Sequence, residues 1–261
     1  MNFIDTHAHI YDKKFAEDMP QMLARMQQAQ VSQVVMPNID SETIESMLLL
    51  EETYPEICVA TMGLHPCSVD ENFQKELYII ENWLSKRKFA AIGEMGTDLY
   101  WDKTFFDEQK EAFIIQANWA KKYQIPIIIH CRESFLPTIE MVENLQSNQQ
   151  DDKNTLKGVF HCFTGTQETA ERVIKAGFML GIGGVLTYKN ANLCDALKNI
   201  DLKHIIFETD SPFLPPVPHR GKRNEPTFVP IIAQKLTEIK NISIEEIAKI
   251  STENAKRLFG I

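Results

Sequence analysis

Two histidines near the start of the chain, His7 and His9, are separated by a single residue and follow a short apolar run. In an extended segment, side chains at positions i and i+2 point to the same side, roughly 6.6 Å apart. Two imidazoles in that arrangement can bind one metal ion from one side. The pair alone is a weak signal, because a single histidine near a strand end is usually a polar residue with an ordinary hydrogen-bond partner.

Further side chains that can bind metal ions stand at the ends of other apolar runs. They are His65, Glu94, His130, His161 and Asp210. A carboxylate inside an apolar run, such as Glu94, carries a large desolvation cost unless it is paired or bound to a metal. A buried salt bridge to Lys or Arg is the structural alternative for Glu94 and Asp210. If the ends of these runs meet in space, histidines are the nearer partners and a metal site is favoured.

The apolar runs alternate with amphipathic segments along the chain. Eight runs have the length and composition of buried parallel strands: 2–5, 31–37, 58–65, 89–96, 125–131, 157–163, 177–184 and 204–210. Segments with helical spacing lie at 41–54, 71–86, 106–123, 133–145 and 168–176, and two further helices are predicted in 227–258 around Asn241. Helix starts are marked by Asp40-Ser41, by Thr166 and by a capping box from Ser243 to Glu246. A helical stripe of Met19, Met22 and Met26 is interpreted as core-facing.

This alternation predicts a parallel sheet with right-handed crossover connections. Eight units in 261 residues favour a single domain, residues 1–261, with the α/β fold of a (β/α)8 TIM-type barrel. An open doubly wound sheet is the alternative, but no GxGxxG motif follows the first run, which argues against its dinucleotide-binding form. The polar stretch 147–154 is interpreted as an exposed loop insertion.

In a barrel of this kind, the carboxyl ends of all strands meet on one rim. Four imidazoles and two carboxylates on one rim exceed what one tetrahedral ion requires. The set therefore predicts two ions, roughly 3.5–4 Å apart, with a carboxylate between them. Mixed nitrogen and oxygen ligands suit Zn, Mn, Fe or Ni, whereas Mg prefers more oxygen. Two such ions activate a water for hydrolysis, and Asp210 is the candidate to orient or deprotonate that water.

The segment after the eighth run carries a short basic cluster: Arg220, Lys222 and Arg223. Beside a metal site, such a cluster can bind an anion such as phosphate, although a solvated surface loop has the same composition. Arg132 lies two residues after His130, so in a continuing strand it faces the same way and either contacts phosphate or pairs with a neighbouring carboxylate. Tyr100 and Trp101 either stack on a nucleobase or pack the loop.

Composition restricts the partners of the protein. The formal net charge of -9 argues against broad, charge-driven binding of nucleic acid but leaves room for a local anion site. The five cysteines include no CxxC pair, which is typical of a reduced, cytoplasmic protein. No signal peptide is recognised and no apolar run approaches the ~20 residues that span a bilayer, so no membrane partner is expected. A monomer is favoured, although the sequence does not determine the oligomeric state.

Seven segments, in order along nearly the whole chain, resemble the TatD-type metal-dependent deoxyribonucleases. They are FIDTHAHI (3–10), GLHP (63–66), IGEMGTD (92–98), PIIIHCRES (126–134), FHCFTGT (160–166), ETDSPFLPP (208–216) and RGKRNEP (220–226). The HxH pattern is shared by amidohydrolase-like barrels in general, whereas ETDSPFL together with RGKRNEP is specific. The resemblance implies a (β/α)8 barrel that hydrolyses phosphodiester bonds at short or single-stranded DNA ends with two divalent ions, Mg, Mn or Zn. The segment 96–100 departs from the family's usual GLDYY, which leaves the pocket wall and the substrate preference open.

The same resemblance implies a role for each matching residue. The first ion is assigned to His7, His9, Glu94 and Asp210, and the second to Glu94, His130 and His161, with Glu94 shared between them. Glu94 and Asp210 are the implied catalytic residues. His65 and Arg132 match positions assigned to substrate phosphate. Many other amidohydrolase-like barrels bridge their ions with a modified lysine, where this chain offers Glu94.

Two other functions are compatible with the sequence. A hydrolase of the same barrel class that acts on a small ester, lactone or amide is favoured by the net charge of -9, which disfavours long polyanions. A catalytically idle metal-binding or scaffold protein is expected to carry a broken ligand set, and none of the six ligand positions is broken. Cleavage of DNA by the metal-loaded protein distinguishes these hypotheses.

Overall fold

Eight parallel strands carry the fold in the computed structural model, which describes residues 1–147 and 155–261. The strands are β1 (Phe3–Asp5), β2 (Val31–Met36), β3 (Cys58–Ala60), β4 (Ile92–Asp98), β5 (Ile127–Arg132), β6 (Gly158–Phe160), β7 (Phe178–Ile182) and β8 (Ile205–Phe207). Each strand overlaps one of the eight predicted runs, in the same order. The predicted strand positions are therefore confirmed.

The strands belong to two sheets, of order β1-β2-β3 and β4-β5-β6-β7-β8, and backbone hydrogen bonds join the sheets at both seams. Between β3 and β4, the Met62 N–H donates to the Ala91 carbonyl (3.2 Å), and the Gly93 N–H donates to the Met62 carbonyl (3.1 Å). Between β8 and β1, the Thr6 N–H donates to the Phe207 carbonyl (2.9 Å). The predicted (β/α)8 TIM-type barrel is confirmed, and its carboxyl strand ends share one rim.

Helices connect the strands on the outside of the barrel. In the described ranges they are α1 (Met19–Gln28), α2 (Ile44–Thr53), α3 (Phe73–Lys86), α4 (Phe106–Tyr123), α5 (Phe135–Ser147), α6 (Gln167–Lys175), α7 (Leu193–Leu197), α8 (Val229–Lys240) and α9 (Ile244–Phe259). Met22 and Met26 are fully buried on α1, as the predicted core-facing stripe requires. The sequence did not predict α7, which is too short to show helical periodicity.

Two further predictions concern the loop insertion and the membrane. Residues 148–154 of the predicted loop insertion lie outside the described residues. Among the described helices, none has the length and hydropathy of a membrane span.

Two of the three predicted capping signals cap a helix in the structure. The hydroxyl groups of Thr166 and Ser243 each accept a hydrogen bond from the backbone N–H three residues later, as predicted. In contrast, α2 begins at Ile44 rather than near Ser41. The N–H and the hydroxyl of Ser41 both donate to the carboxylate of Glu76 on α3, at 2.8 Å each. Ser41 therefore joins two helices instead of capping one.

The barrel interior is filled by an apolar layer beneath the rim. Its members include one residue from each of several strands: Ile4, Val35, Ile128, Val159 and Ile206. Leu258 and Phe259 of α9 pack against this layer. His130, His161 and Glu208 each follow one of these core residues by two positions: Ile128, Val159 and Ile206 respectively. Because side chains two positions apart in a strand point to the same side, all three face the barrel interior. The functional rim therefore lies directly over the core.

Candidate metal centre

Glu94, on β4, lies at the centre of the predicted ligand set and is only 1% exposed. Its Oε2 atom lies 3.1 Å from His7 Nε2 and 3.5 Å from His9 Nε2. Its Oε1 atom lies 2.9 Å from His130 Nδ1 and 3.4 Å from His161 Nε2. The two oxygens therefore face different imidazoles. We name these two groups the Oε2 side (His7, His9 and Asp210) and the Oε1 side (His130 and His161).

Asp210 completes the Oε2 side from the loop that follows β8. Its Oδ1 atom lies 3.8 Å from the Nε2 atoms of both His7 and His9. The backbone of Asp210 is left-handed (φ 58°), a conformation that persists only where the surroundings enforce it. Its N–H donates to the His7 carbonyl (2.8 Å), and Asn224 Nδ2 donates to the carbonyl of the preceding Thr209 (2.7 Å). The loop is thus held so that the carboxylate reaches the centre.

Both carboxylates of the centre are surrounded by imidazoles. In residues 1–147 and 155–261, the ion-pair contacts of Glu94 and Asp210 are all with histidines. The structural alternative of a buried salt bridge to Lys or Arg is therefore wrong for the described part of the chain. A carboxylate buried in this way needs protons or a cation nearby to offset its lost hydration.

The ring of His9 is oriented by Tyr11. The Tyr11 hydroxyl donates to the Pro37 carbonyl (2.5 Å), so its oxygen accepts a hydrogen bond from His9 Nδ1–H (2.8 Å). The Nε2 lone pair of His9 then points toward Glu94 and Asp210. A histidine whose second nitrogen donates to a fixed acceptor is the usual arrangement in a metal site.

Carboxylates orient both rings of the Oε1 side. Asp98 Oδ2 lies 2.8 Å from His130 Nε2, and Glu208 Oε1 lies 3.0 Å from His161 Nδ1. When these nitrogens carry the proton, the other nitrogen of each ring presents its lone pair toward Glu94. Burial favours the neutral ring of His161, but Glu208 and Glu94 outweigh burial and raise its pKa to about 10. This side therefore concentrates negative charge around its imidazoles.

His65 also lies near the centre, but it faces Glu94 with a protonated ring nitrogen. Its Nε2 atom is 3.5 Å from Glu94 Oε1, but its Nδ1 atom accepts a hydrogen bond from the Cys67 N–H (3.0 Å). The ring proton is thus on Nε2, and His65 presents a donor rather than a lone pair to the centre. This geometry suits a contact with a substrate oxygen better than direct binding of a metal.

The pKa values of the central groups follow from burial and from these neighbours. Burial opposes the charged form of Glu94, but its histidine neighbours, His7 first, outweigh burial and hold the pKa of Glu94 well below its usual range. Burial, together with the charge of His161, lowers the pKa of His7 well below its usual value. Burial raises the pKa of Asp210 to about 6. The centre thus combines an ionised carboxylate with a neutral imidazole that can donate a lone pair.

The donor set fits divalent cations. The ligand atoms of several groups of three lie within 4.8 Å of one another, among them the group of His7, His9 and Glu94 and the group of His65, Glu94 and His130. Nitrogen lone pairs and carboxylate oxygens converge, and hydrogen-bond acceptors stand behind three of the rings. Mixed nitrogen and oxygen donors of this kind suit borderline transition-metal ions.

The centre opens into a cavity of about 870 Å³ at the rim of the barrel. Besides the predicted ligands Glu94, His130, His161 and Asp210, it is lined by the predicted substrate residues His65 and Arg132. Trp101, Phe213 and Leu214 line the cavity and are nevertheless exposed to solvent, by 69%, 46% and 39% respectively. The structure therefore brings the predicted ligands together beneath a partly apolar mouth.

Comparison with known proteins assigns the chain to a family, because the family model described as TatD related DNase matches residues 4–260. The chain belongs to the TatD-related DNase family. It is 39% identical over 258 residues to the uncharacterized metal-dependent hydrolase YabD of Bacillus subtilis, with 98% of both chains covered. It is 30% identical over 262 residues to the uncharacterized metal-dependent hydrolase YjjV of Escherichia coli, with 99% of this chain and 98% of YjjV covered. The crystal structure of YjjV, a TatD homologue, superposes with a TM-score of 0.91 at 29% identity, covering 99% of this chain and 98% of YjjV. This TatD-family chain is thus a metal-dependent hydrolase.

The basic segment of this TatD-family protein is partly engaged in ion pairs. Arg223 Nη1 lies 2.6 Å from Asp18 Oδ1, and Arg223 Nη2 lies 3.5 Å from Glu225 Oε2. Arg25 contacts the same two carboxylates, at 3.0 Å and 2.7 Å. Since Asp18 precedes α1, these four charges join the loop after β1 to the loop after β8.

The other two basic residues of the segment have fewer partners. The Arg220 guanidinium packs over the ring of Tyr188, 4.1 Å from its centroid. Lys222 lines an open pocket beside the Arg223 ion pairs. Neither Arg220, Lys222 nor Arg223 is among the described residues that line the cavity of the metal centre. Contact between these three residues and a substrate stays a prediction.

Three orienting groups escaped the sequence reasoning: Tyr11, Asp98 and Glu208. The i and i+2 rule that places His7 beside His9 also places Glu208 on the inward side, two residues after the core residue Ile206. Asp98 acts on His130, 32 positions away, which no local pattern indicates. Tyr11 stands only two residues after His9, but its hydroxyl is fixed by the Pro37 carbonyl, 26 positions away. The motif RGKRNEP also has a structural role. Its Asn224 donates a hydrogen bond to the carbonyl of Thr209, next to Asp210, and its Glu225 accepts one from Arg25.

Proposed function

We propose that this protein hydrolyses phosphodiester bonds of DNA at short or single-stranded ends, with one divalent ion on each side of Glu94. The observation that carries the proposal is the division of Glu94 between His7 and His9 at one oxygen and His130 and His161 at the other. A carboxylate in this position can bridge two ions. The description of the matching family model, TatD related DNase, supports DNA as the substrate.

The side chains divide the work of such a reaction. The ions would be held by His7, His9, Glu94 and Asp210 on one side and by Glu94, His130 and His161 on the other. Bound ions would lower the pKa of a water molecule and stabilise the charge of the transition state. Asp210 lines the open cavity, where it would orient the attacking water and accept its proton. The Nε2–H of His65 and the guanidinium of Arg132 would donate hydrogen bonds to phosphate oxygens.

The size and charge of the protein favour a strand end over a long duplex. A cavity of about 870 Å³ falls within the range of sites for small ligands, roughly 300–1,000 Å³. The net charge of -9 provides little general attraction for a long polyanion. A strand end needs only a few local phosphate contacts, and His65 and Arg132 on the cavity wall would provide them.

A small ester, lactone or amide is the second candidate substrate. The observation that favours it is the apolar mouth of the cavity, where Val185, Phe213 and Leu214 stand beside the metal centre. Such a substrate needs no contact with phosphate, so its hydrolysis would not depend on Arg132. The two candidates therefore differ in their response to substitution of this arginine.

The test is cleavage of end-labelled single-stranded and duplex DNA by protein loaded with Mg²⁺, Mn²⁺ or Zn²⁺. We expect metal-dependent cleavage by the wild type and a fall of roughly 10³-fold or more in Glu94→Ala and Asp210→Asn, because each loses several kcal/mol of charge stabilisation. Glu81→Ala, at an exposed position of α3, is the matched control and should leave the rate unchanged.

Two results would contradict the proposal. One is the absence of metal-dependent DNA cleavage by the wild type under all three metals. The other is unchanged cleavage by Glu94→Ala and Asp210→Asn, which would indicate a contaminating nuclease. A panel of small esters and lactones, assayed with wild type and Arg132→Ala, then tests the second candidate.

A further inference from the structure

We propose that Trp101, Tyr100 and Arg132 form a shelf at the mouth of the cavity that stacks on an unpaired nucleobase of the bound strand. The feature of DNA that this shelf would recognise is a base whose faces are not covered by neighbouring bases of a duplex. The inference rests on the proposed function, because it assumes that the cavity receives a nucleic-acid end.

Two neighbouring aromatic side chains, Tyr100 and Trp101, are exposed to solvent, and Trp101 lines the cavity. Trp101 is 69% exposed and Tyr100 is 46% exposed. Their rings are perpendicular (86°) with centroids 4.9 Å apart. Neither ring is buried, and packing within the loop leaves most of the Trp101 side chain uncovered. Exposed aromatic surface beside a functional cavity is typical of a binding site.

Arg132 lies against both aromatic rings. Its guanidinium carbon lies 3.6 Å from the Tyr100 ring centroid and 5.3 Å from the Trp101 ring centroid. The cation thus covers the Tyr100 ring, while Trp101 keeps most of its surface free. An aromatic face next to a guanidinium matches a nucleotide, whose base stacks on the ring and whose phosphate accepts hydrogen bonds from the cation.

The backbone of the shelf is fixed to the metal centre through Asp98. Asp98 Oδ1 accepts hydrogen bonds from the N–H groups of Tyr100 (2.8 Å) and Trp101 (3.1 Å). The other oxygen of Asp98 lies 2.8 Å from His130 Nε2. The Leu99 N–H donates to the Arg132 carbonyl (2.9 Å), which continues the pairing of β4 with β5. One carboxylate therefore positions both a predicted metal ligand and the shelf.

This arrangement predicts selectivity for unpaired bases. In a duplex, each base is stacked on its neighbours, so Trp101 can contact its face only after that base has been unstacked. At a single-stranded or frayed end, the base is free to stack on the indole. The scissile phosphate would then lie at a fixed distance from the shelf, because Asp98 ties the shelf to His130.

The test uses a single-stranded oligonucleotide with uncleavable phosphorothioate linkages and the fluorescent base 2-aminopurine at either end. Stacking quenches 2-aminopurine, so we expect the metal-loaded wild type to quench one of the two probes. Trp101→Ala should abolish the quenching and weaken binding roughly 5- to 150-fold, the range for loss of one base–aromatic stack. Trp101→Phe should restore part of both, and Tyr78→Ala, at a 68% exposed tyrosine of α3, should match the wild type.

Cleavage kinetics provide the second measurement. Trp101→Ala should raise KM for single-stranded DNA with little change in kcat, and a substrate with an abasic end should give the wild type the same raised KM. Unquenched probes with the wild type, or equal binding and KM for Trp101→Ala and wild type, would overturn the shelf. If the wild type quenches the probe and Trp101→Ala does not, while no DNA is cleaved, the shelf stands and the proposed nuclease function fails.

Discussion

The two sides of Glu94 are similar in position but differ in how negative charge is supplied to them. On the Oε2 side, Asp210 itself faces the imidazoles, with its Oδ1 atom 3.8 Å from both ring nitrogens. On the Oε1 side, two carboxylates stand behind the rings: Asp98 behind His130 and Glu208 behind His161. The only comparable support on the Oε2 side, in the described residues, is the uncharged hydroxyl of Tyr11 behind His9.

This difference suggests that the two sides have different roles, one in the hydrolytic reaction and the other in the affinity for a metal ion. Asp210 reaches the open cavity, so it can contact water and substrate as well as a cation. Glu208 is fully buried, and among the described residues its hydrogen bonds go to His161 and to the backbone N–H of Cys162. A carboxylate behind an imidazole makes that ring a stronger ligand without touching the substrate. We therefore expect the Oε2 side to govern the reaction and the Oε1 side to govern retention of its ion.

The largest effect is expected where the two sides meet. Glu94→Gln removes the charge that both sides share, so both metal-binding events and the hydrolytic activity should be lost, the latter by roughly 10³-fold. Isothermal titration of metal-free protein measures the binding events. We expect two per chain in the wild type and none above background in Glu94→Gln.

Asp210→Asn is the comparison that makes the titration decisive. It should weaken one binding event and leave the other, because the Oε1 side keeps all of its ligands. A single binding event in the wild type would contradict the proposed division of Glu94 and would reduce the centre to one ion.

The second prediction isolates the carboxylates behind the Oε1 side. Glu208→Gln and Asp98→Asn should each weaken metal binding on that side by roughly 10–100-fold while leaving the Oε2 event intact. Competition with a chromophoric chelator measures this affinity. Gly181→Ala is a matched variant that keeps the charge, because an added Cβ would lie 2.2 Å from Glu208 Oε2 and displace the carboxylate. Equal affinities in these variants and wild type would show that the carboxylates do not support ligands.

The sequence predicts the ligands better than it predicts their supports. A ligand at the end of an apolar run is a local pattern, and a barrel fold brings all such ends to one rim, so His130 and His161 could be placed without coordinates. The support of His9 depends on the hydrogen bond between Tyr11 and the Pro37 carbonyl, which are 26 positions apart, and no local pattern predicts that bond. Contacts between loops that are distant in the sequence therefore could not be predicted.

The basic segment shows the same limit. Its composition indicates an anion site, but its composition does not reveal that Arg223 contacts Asp18, 205 positions away. The tautomer of His65 is likewise invisible in the sequence, since it depends on the turn that brings the Cys67 N–H to Nδ1. Residue types and spacing thus identified which groups assemble, while their protonation and partners required the structure.

The third prediction concerns the weaker support on the Oε2 side. Tyr11→Phe removes a neutral hydrogen bond to His9 Nδ1, worth about 1 kcal/mol, so metal affinity on the Oε2 side should fall by roughly fivefold. The same chelator competition measures it. Because the hydroxyl carries no charge, the effect should be smaller than that of Glu208→Gln. If Tyr11→Phe lowers the metal affinity as much as Glu208→Gln does, the charge of the supporting group does not account for the difference between the two sides.

The smallest effect is expected in the ion pairs that fasten the Asp210 loop. Arg223→Ala leaves Asp18 with Arg25 alone, and these partly exposed ion pairs should contribute about 1 kcal/mol or less to the free energy of unfolding. For a chain of this size, we expect Tm to fall by roughly 2–4 °C. Lys222→Ala, at a neighbouring residue with no ion pair in the described part of the chain, should leave Tm unchanged. Its KM for DNA should rise if the segment binds phosphate.

The pH dependence of this Tm difference tests its origin. The hydrogen bonds from Arg223 and Arg25 hold the pKa of Asp18 well below its usual range. A depressed carboxylate pKa stabilises the fold above the unfolded value near ~4, and the contribution is lost as the pH falls toward the folded value. The Tm difference between wild type and Arg223→Ala should therefore be constant from pH 5 to 8 and shrink in stronger acid. A difference that persists unchanged in strong acid would mean that Arg223 acts through its packing on Phe15, whose ring centroid lies 4.3 Å from the guanidinium, and not through charge.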